Sequence, residues 1–166
     1  MTIDTVLQSI AEMPIAIRIA EDPVFFPWIE VIHVLAITIV FGSILLVDLR
    51  LMGLAARDYP IVRLSKAVVP LTWVAFLIAA MSGAALFISN PVTYFGNTYF
   101  RAKMLLMICA GINMAIFHLW TWRSVARWDE SPRVPVGVRF AGLISALLWV
   151  TIIICGRWIG FTMAPF

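Results

Sequence analysis

Of 166 residues, 63% are hydrophobic and only 13% charged, with a mean hydropathy of +1.00. That balance excludes an ordinary soluble domain of this size and marks a membrane protein. The formal charge of +3 implies no nucleic-acid partner, because the basic residues cluster in loops between apolar stretches and read as topology signals. The two cysteines, Cys109 and Cys155, lie inside apolar runs and exclude a disulfide framework.

In chain order, residues 1–25 read as an amphipathic interfacial segment: TVLQSIAEMPIAIRIAED is interrupted by Glu12, Pro14 and Arg18, so it cannot span a bilayer. A break or kink is expected near Pro14. No removable signal peptide is expected, since the basic, apolar and small-residue regions of one do not follow each other. Residues 26–166 read as a single domain with four apolar stretches, at about 26–48, 67–89, 102–123 and 137–160, each near the roughly 20 residues a spanning helix needs. The expected fold class is therefore all-α: an integral membrane four-helix bundle with an N-terminal interfacial helix.

The connections between the first and second and between the third and fourth stretches hold eight of the twelve basic residues: Arg50, Arg57, Arg63, Lys66, Arg123, Arg127, Arg133 and Arg139. The positive-inside rule then predicts a multi-pass protein of a bacterial inner membrane with both termini periplasmic.

Within the first apolar stretch, PWIEVIHVLAITIVFGSILLVDLR, Glu30 and His33 share a helix face three residues apart, at a depth where ionisable groups are expensive. A rise of about 1.5 Å per residue puts His33 about 10 Å below the outer surface, with Met81 and Met107 at the same level. His118 falls about 15 Å deeper, so one haem clamped between the two histidines is geometrically disfavoured. Glu30 and Asp48, 18 residues apart, point the same way, and Lys103, Met107, Met114, His118 and Thr121 form a comparable stripe on the third helix. The two stripes are expected to face each other, with Asp48 and Arg50 pairing to His118, Arg123 or Arg139.

Three uses are open to His33: a core histidine bonded to Glu30 or a carbonyl, an axial haem ligand, or a Cu(I) ligand beside methionine sulfur. Met81 and Met107 are packing residues or the second ligand. Lys103 and Arg101 are outer anchors or partners of haem propionates. His118 pairs with Asp48 or serves a second haem or a quinone. Trp28, Trp120, Trp122, Trp128 and Trp158 suit interfacial aromatic belts. Gly42, Gly53, Gly83, Gly111 and Gly156 suit close helix approach or room for a flat ligand, and Asn113 an interhelical bond.

The stretch IHVLAITIVFGSILLVDLR, with a first-helix His, a Gly about nine residues on and an Arg beyond, resembles CopD-type copper-resistance membrane proteins and HemJ-type protoporphyrinogen oxidases. The latter are four-helix haem-b proteins, and the resemblance implies that His33 takes the place of their haem-ligating histidine, with Lys103 and His118 matching the Lys and His of their third helix. FFPWIEVIHVLAITIVFGSILLVDLRLMGLA, VVPLTWVAFLIAAMSGAALF and YFGNTYFRAKMLLMICAGINMAIFH are similar to an uncharacterised bacterial family of small inner-membrane proteins.

The expected function is that of a haem-b-binding, cytochrome-b-like protein for electron transfer, with His33 and His118 as candidate iron ligands. Its cofactor contacts would be Met81, Met107, Glu30, Lys103 and Arg101, and a b-type haem is favoured because no CxxCH motif exists. The alternatives are a copper-handling protein using Glu30, His33 and the methionines, and a non-catalytic accessory subunit whose polar stripes only fix helix register. Expected partners are the lipid bilayer, a redox protein or quinone, and further copies of the chain.

Overall fold

A computed structural model describes residues 2–56, 59–122, 125–129 and 134–163. Arg57, Arg123 and Arg133, named above for topology or pairing, lie outside the described residues, as do the side chains of Thr121 and Arg127.

Two short helices come first: α1, Ile3–Ala11, and α2, Pro14–Glu21. The break falls at Pro14, whose missing N–H costs nothing at the first position of a helix. Both pack against the second long helix, with Leu7, Ala16 and Ile19 buried. Asp22 then turns the chain into α3, Phe25–Met52, its Oδ1 accepting from the N–H groups of Val24 at 2.8 Å and Phe25 at 3.1 Å. Helix α3 stops at Gly53, whose φ of 73° is open to glycine without strain and lets Leu54 N–H close back on Leu49 O at 2.9 Å.

Helix α4, Ile61–Ser89, returns across the molecule. It is followed by α5, Pro91–Gly96, and by α6, Thr98–Ile116, which runs into a π-helical turn at Phe117–Thr121. The short α7, Val125–Trp128, leads to α8, Val136–Met163. Asn97 begins α6 by accepting from Tyr99 and Phe100 N–H, while its Nδ2 donates to Thr162 Oγ1 at 2.7 Å and ties the α5–α6 turn to α8.

The helices α3, α4 and α8, and α6 with its π turn, are each long and apolar enough to cross a membrane. The chain is an all-α membrane helical bundle. Its helices outrun the apolar stretches that predict them: α3 continues past residue 48 to Met52, and α4 begins at Ile61 rather than 67. Arg50, Arg63 and Lys66 are good helix formers that end an apolar window without ending a helix.

Helix α3 packs against α4 and α8, and α6 packs against α8, whereas α4 and α6 share no extended interface among the described residues. Leu35, Leu77, Leu105 and Leu147, one on each long helix, are about 60% exposed and turn outward, as a lipid-facing surface requires. The tightest core, Leu51, Ile61, Leu64, Phe117, Trp128 and Val138, lies at the end where α3 finishes and α4 and α8 begin. Trp128, expected in an aromatic belt, is 4% exposed and belongs to this core, because α7 folds back beneath the bundle.

At that end Asp129 Oδ1 and Oδ2 accept from Ile61 and Val62 N–H and so cap α4. The buried Arg50 donates from Nε to Tyr59 O at 2.7 Å and from Nη2 to Asp129 O at 3.4 Å. The expected pairing of Asp48 and Arg50 with His118 or Arg139 is not formed: His118 and Arg139 are exposed, and Arg50 turns to main-chain oxygens instead.

Candidate functional site

His33 answers the question raised by its neighbour Glu30. The carboxylate is exposed, and the imidazole turns across the α3–α4 interface to Ser82, buried at 8% exposure, with Nδ1 3.0 Å from Ser82 Oγ. A hydroxyl has one proton, and that of Ser82 goes to the carbonyls of its own helix, Ile78 O at 2.7 Å and Ala79 O at 3.2 Å. With that proton so spent, the tautomer that satisfies both groups is the one in which Nδ1 donates to Ser82, and the ring also meets the Ala79 backbone. The neutral ring then carries its lone pair on Nε2, the atom left for a ligand.

Gly83, the next residue of α4, gives the ring its place. A Cβ there would stand 2.9 Å from His33 Cε1, so any side chain would displace the imidazole. On the other side of the bundle, Lys103 of α6 reaches inward toward α8, with Nζ 3.7 Å from where a Cβ on Gly156 would sit. Its charge acts on both His33 and Cys155. Each of the four long helices thus contributes to one level: His33 from α3, Ser82 and Gly83 from α4, Lys103 from α6, Cys155 and Gly156 from α8.

An aromatic roof closes this level. Phe87 stacks on Phe100 with centroids 5.4 Å apart, and Tyr94 of α5 sits edge-on to Phe100 at 5.7 Å. The Tyr94 phenol is pushed above its usual value, first by burial and then by the negative charge of Glu30. Glu30 therefore belongs with the roof and not with the imidazole.

The other predicted site residues distribute differently. Met81, 67% exposed, faces outward one residue before Ser82, and Met107 is partly buried one turn beyond Lys103. Arg101 is exposed, with Nη2 3.5 Å from Thr98 Oγ1. His118 lies at the opposite end of the bundle in the π turn, exposed, its Nδ1 donating to Met114 O at 2.9 Å and its ring stacked on Trp122 at 5.7 Å. Met114 is exposed too, because α6 has α8 on one flank and no α4 on the other, so its covered face is narrower than the stripe.

Among the described residues no three His, Cys, Asp or Glu side chains converge as a metal cluster. Two shallow apolar grooves lie elsewhere: one of about 260 Å³ lined by Met52, Arg139 and Phe140, the other of about 220 Å³ between α3 and α4 at Leu35 and Val74. Asn113 donates from Nδ2 to Ala141 O at 3.1 Å, an α6–α8 bond. Of the glycines, Gly83 and Gly156 meet neighbouring side chains, Gly42 and Gly111 face open space, and Gly142, not singled out by sequence, lies against Asp48 O and Leu51.

The chain belongs to DUF6644, a family of unknown function whose profile matches residues 18–162. No curated protein and no solved structure matches it.

Proposed function

For a member of a family with no assigned activity, we propose a haem-b-binding membrane protein that transfers electrons, with His33 as an axial ligand. The observation that carries this reading is the 3.0 Å contact between His33 Nδ1 and Ser82 Oγ; with Nδ1 as the donor, the lone pair for a ligand would lie on Nε2. Histidines that ligate metals characteristically spend their other nitrogen on such a partner, which fixes tautomer and ring orientation. Gly83 supplies a flat wall beside the ring, and Lys103 supplies an inward-facing cation for a carboxylate group. Haem would supply one-electron redox chemistry. The chain's residues would bind and orient it, and the Phe87–Tyr94–Phe100 roof would keep water from the level below.

A further side chain to hold the haem iron would come from Met107 or from a second copy of the chain, since Met81 faces outward. The resemblance read in the His33 helix to HemJ-type proteins favours the same assignment, and its resemblance to CopD-type proteins favours the copper alternative. The electron partner would be a quinone or a redox protein. The basic connections orient the molecule with both termini periplasmic in a bacterial inner membrane.

The test is a reduced-minus-oxidised absorption spectrum of the detergent-purified protein made with ample haem precursor. Soret and alpha bands are expected, lost in His33→Ala and kept in Met81→Ala. A folded, monodisperse protein without a Soret band refutes the reading. Stoichiometric copper would then support the copper-handling alternative, and neither cofactor would support an accessory subunit.

A further inference from the structure

A second ionisable group on α3 is enclosed more completely than His33. Asp48 is 4% exposed, and its Oδ2 has no hydrogen-bond partner. Gly142 allows α8 to press directly on this turn, and a Cβ at that glycine would stand 3.0 Å from Asp48 O. The polar side chain that faces the carboxyl is Ser145 of α8, a neutral hydroxyl.

Among the described residues no cation is at hand. Arg50, about 200° around the helix from Asp48, is engaged with Tyr59 O and Asp129 O. On the helices packed against this part of α3, Arg63 and Lys66 of α4 and Arg139 of α8 are exposed, and the charged groups of α2, Arg18 and Glu21, sit at the far end of the bundle. His118 beyond them is exposed and bonded to Met114 O. A metal ion would need several oxygen ligands, and no acidic cluster joins Asp48 among the described residues. An anion here would also face the partial negative charge at the C-terminal end of α3, which finishes four residues later at Met52. An ionised carboxylate buried here, with no cationic partner among the described residues and no favourable dipole, is costly, and taking up a proton removes the charge.

We infer that Asp48 is a proton-binding site: a carboxylic acid inside the bundle that exchanges one proton with water at the Arg50 end. Uptake of that proton takes the side chain from a charge of −1 to zero. The site stands whether or not His33 binds haem.

The experiment is infrared spectroscopy of the full chain reconstituted in lipid, comparing it with Asp48→Asn, Asp48→Glu and Ser145→Ala. At neutral pH the unaltered protein should show the carbonyl stretch of a protonated carboxylic acid, moved by exchange into heavy water and converted to carboxylate bands at alkaline pH. It should be missing in Asp48→Asn, return at another frequency in Asp48→Glu, and shift in Ser145→Ala, which a merely space-filling serine would not cause. A difference between the unaltered protein and Asp48→Asn confined to carboxylate bands at neutral pH overturns the inference, as does an acid band that Asp48→Asn leaves in place. Conversion to carboxylate by added sodium or calcium at constant pH overturns it too, in favour of a metal-ion site. Should Asp48→Asn fail to fold, the frequency shifts in Asp48→Glu and Ser145→Ala decide the matter, and an acid band unmoved in both refutes it.

Discussion

Ser82 and Gly83 set what His33 can do, and neither announces itself. Helix rise brings the second helix to the right depth, but one residue is about 100° of rotation, and that angle turns Met81 to the outside and Ser82 to the imidazole. Sequence spacing therefore gives the layer and not the partner. Glu30 and His33 are correctly placed near each other along α3, yet the bond goes to a residue 49 positions away, which a single-helix view cannot reveal. Gly83→Ala puts a methyl group 2.9 Å from His33 Cε1 and should cost roughly 1–3 kcal/mol through overpacking and, on the haem proposal, lose or displace the Soret band. Thermal unfolding and the absorption spectrum measure the two effects together. Ser82→Ala removes the group that meets Nδ1 while leaving the fold nearly unchanged, so on the haem proposal its expected signature is weaker haem retention in a protein that is still monodisperse.

The elements themselves were the most legible part, because four long apolar windows admit little besides spanning helices. Their ends were less so: Asp129 caps α4 from 68 residues away, a contact that no local window of sequence contains. Asp129→Ala should lower stability by about 0.5–2 kcal/mol, read as a lower unfolding midpoint, without touching the spectrum of the His33 level. The π turn holding His118 marks where α6 departs from regular helical phase, so a stripe drawn with uniform phase does not fix where His118 points. At α5, the Tyr94 phenol keeps its proton more tightly in the folded chain than in the unfolded one. The stability this contributes is complete below the unfolded value of about 10 and is lost as pH rises through the folded value. Tyr94→Phe should therefore flatten the alkaline fall in unfolding temperature, and Glu30→Gln should diminish it in part.

Over the whole molecule the two ends have different characters. The Arg50 end is knitted by the buried cluster around Ile61 and Val138 and by the Asp129 cap, while the His33 end is held by an aromatic roof and the Asn97–Thr162 clip. That division was invisible in composition, since it depends on which side chains meet across helices. A consequence lies in the order of helix contacts. Helix α3 pairs with α4 as soon as both are made, but α6 finds its extended interface on α8, which also rests on α3. The last helix is thus the keystone of assembly: until it inserts, the nascent chain is a finished hairpin trailing an unsupported third span. A chain truncated before Val136 should leave α6 open to intramembrane proteolysis while the α3–α4 hairpin survives, and α8 supplied as a separate polypeptide should protect it again.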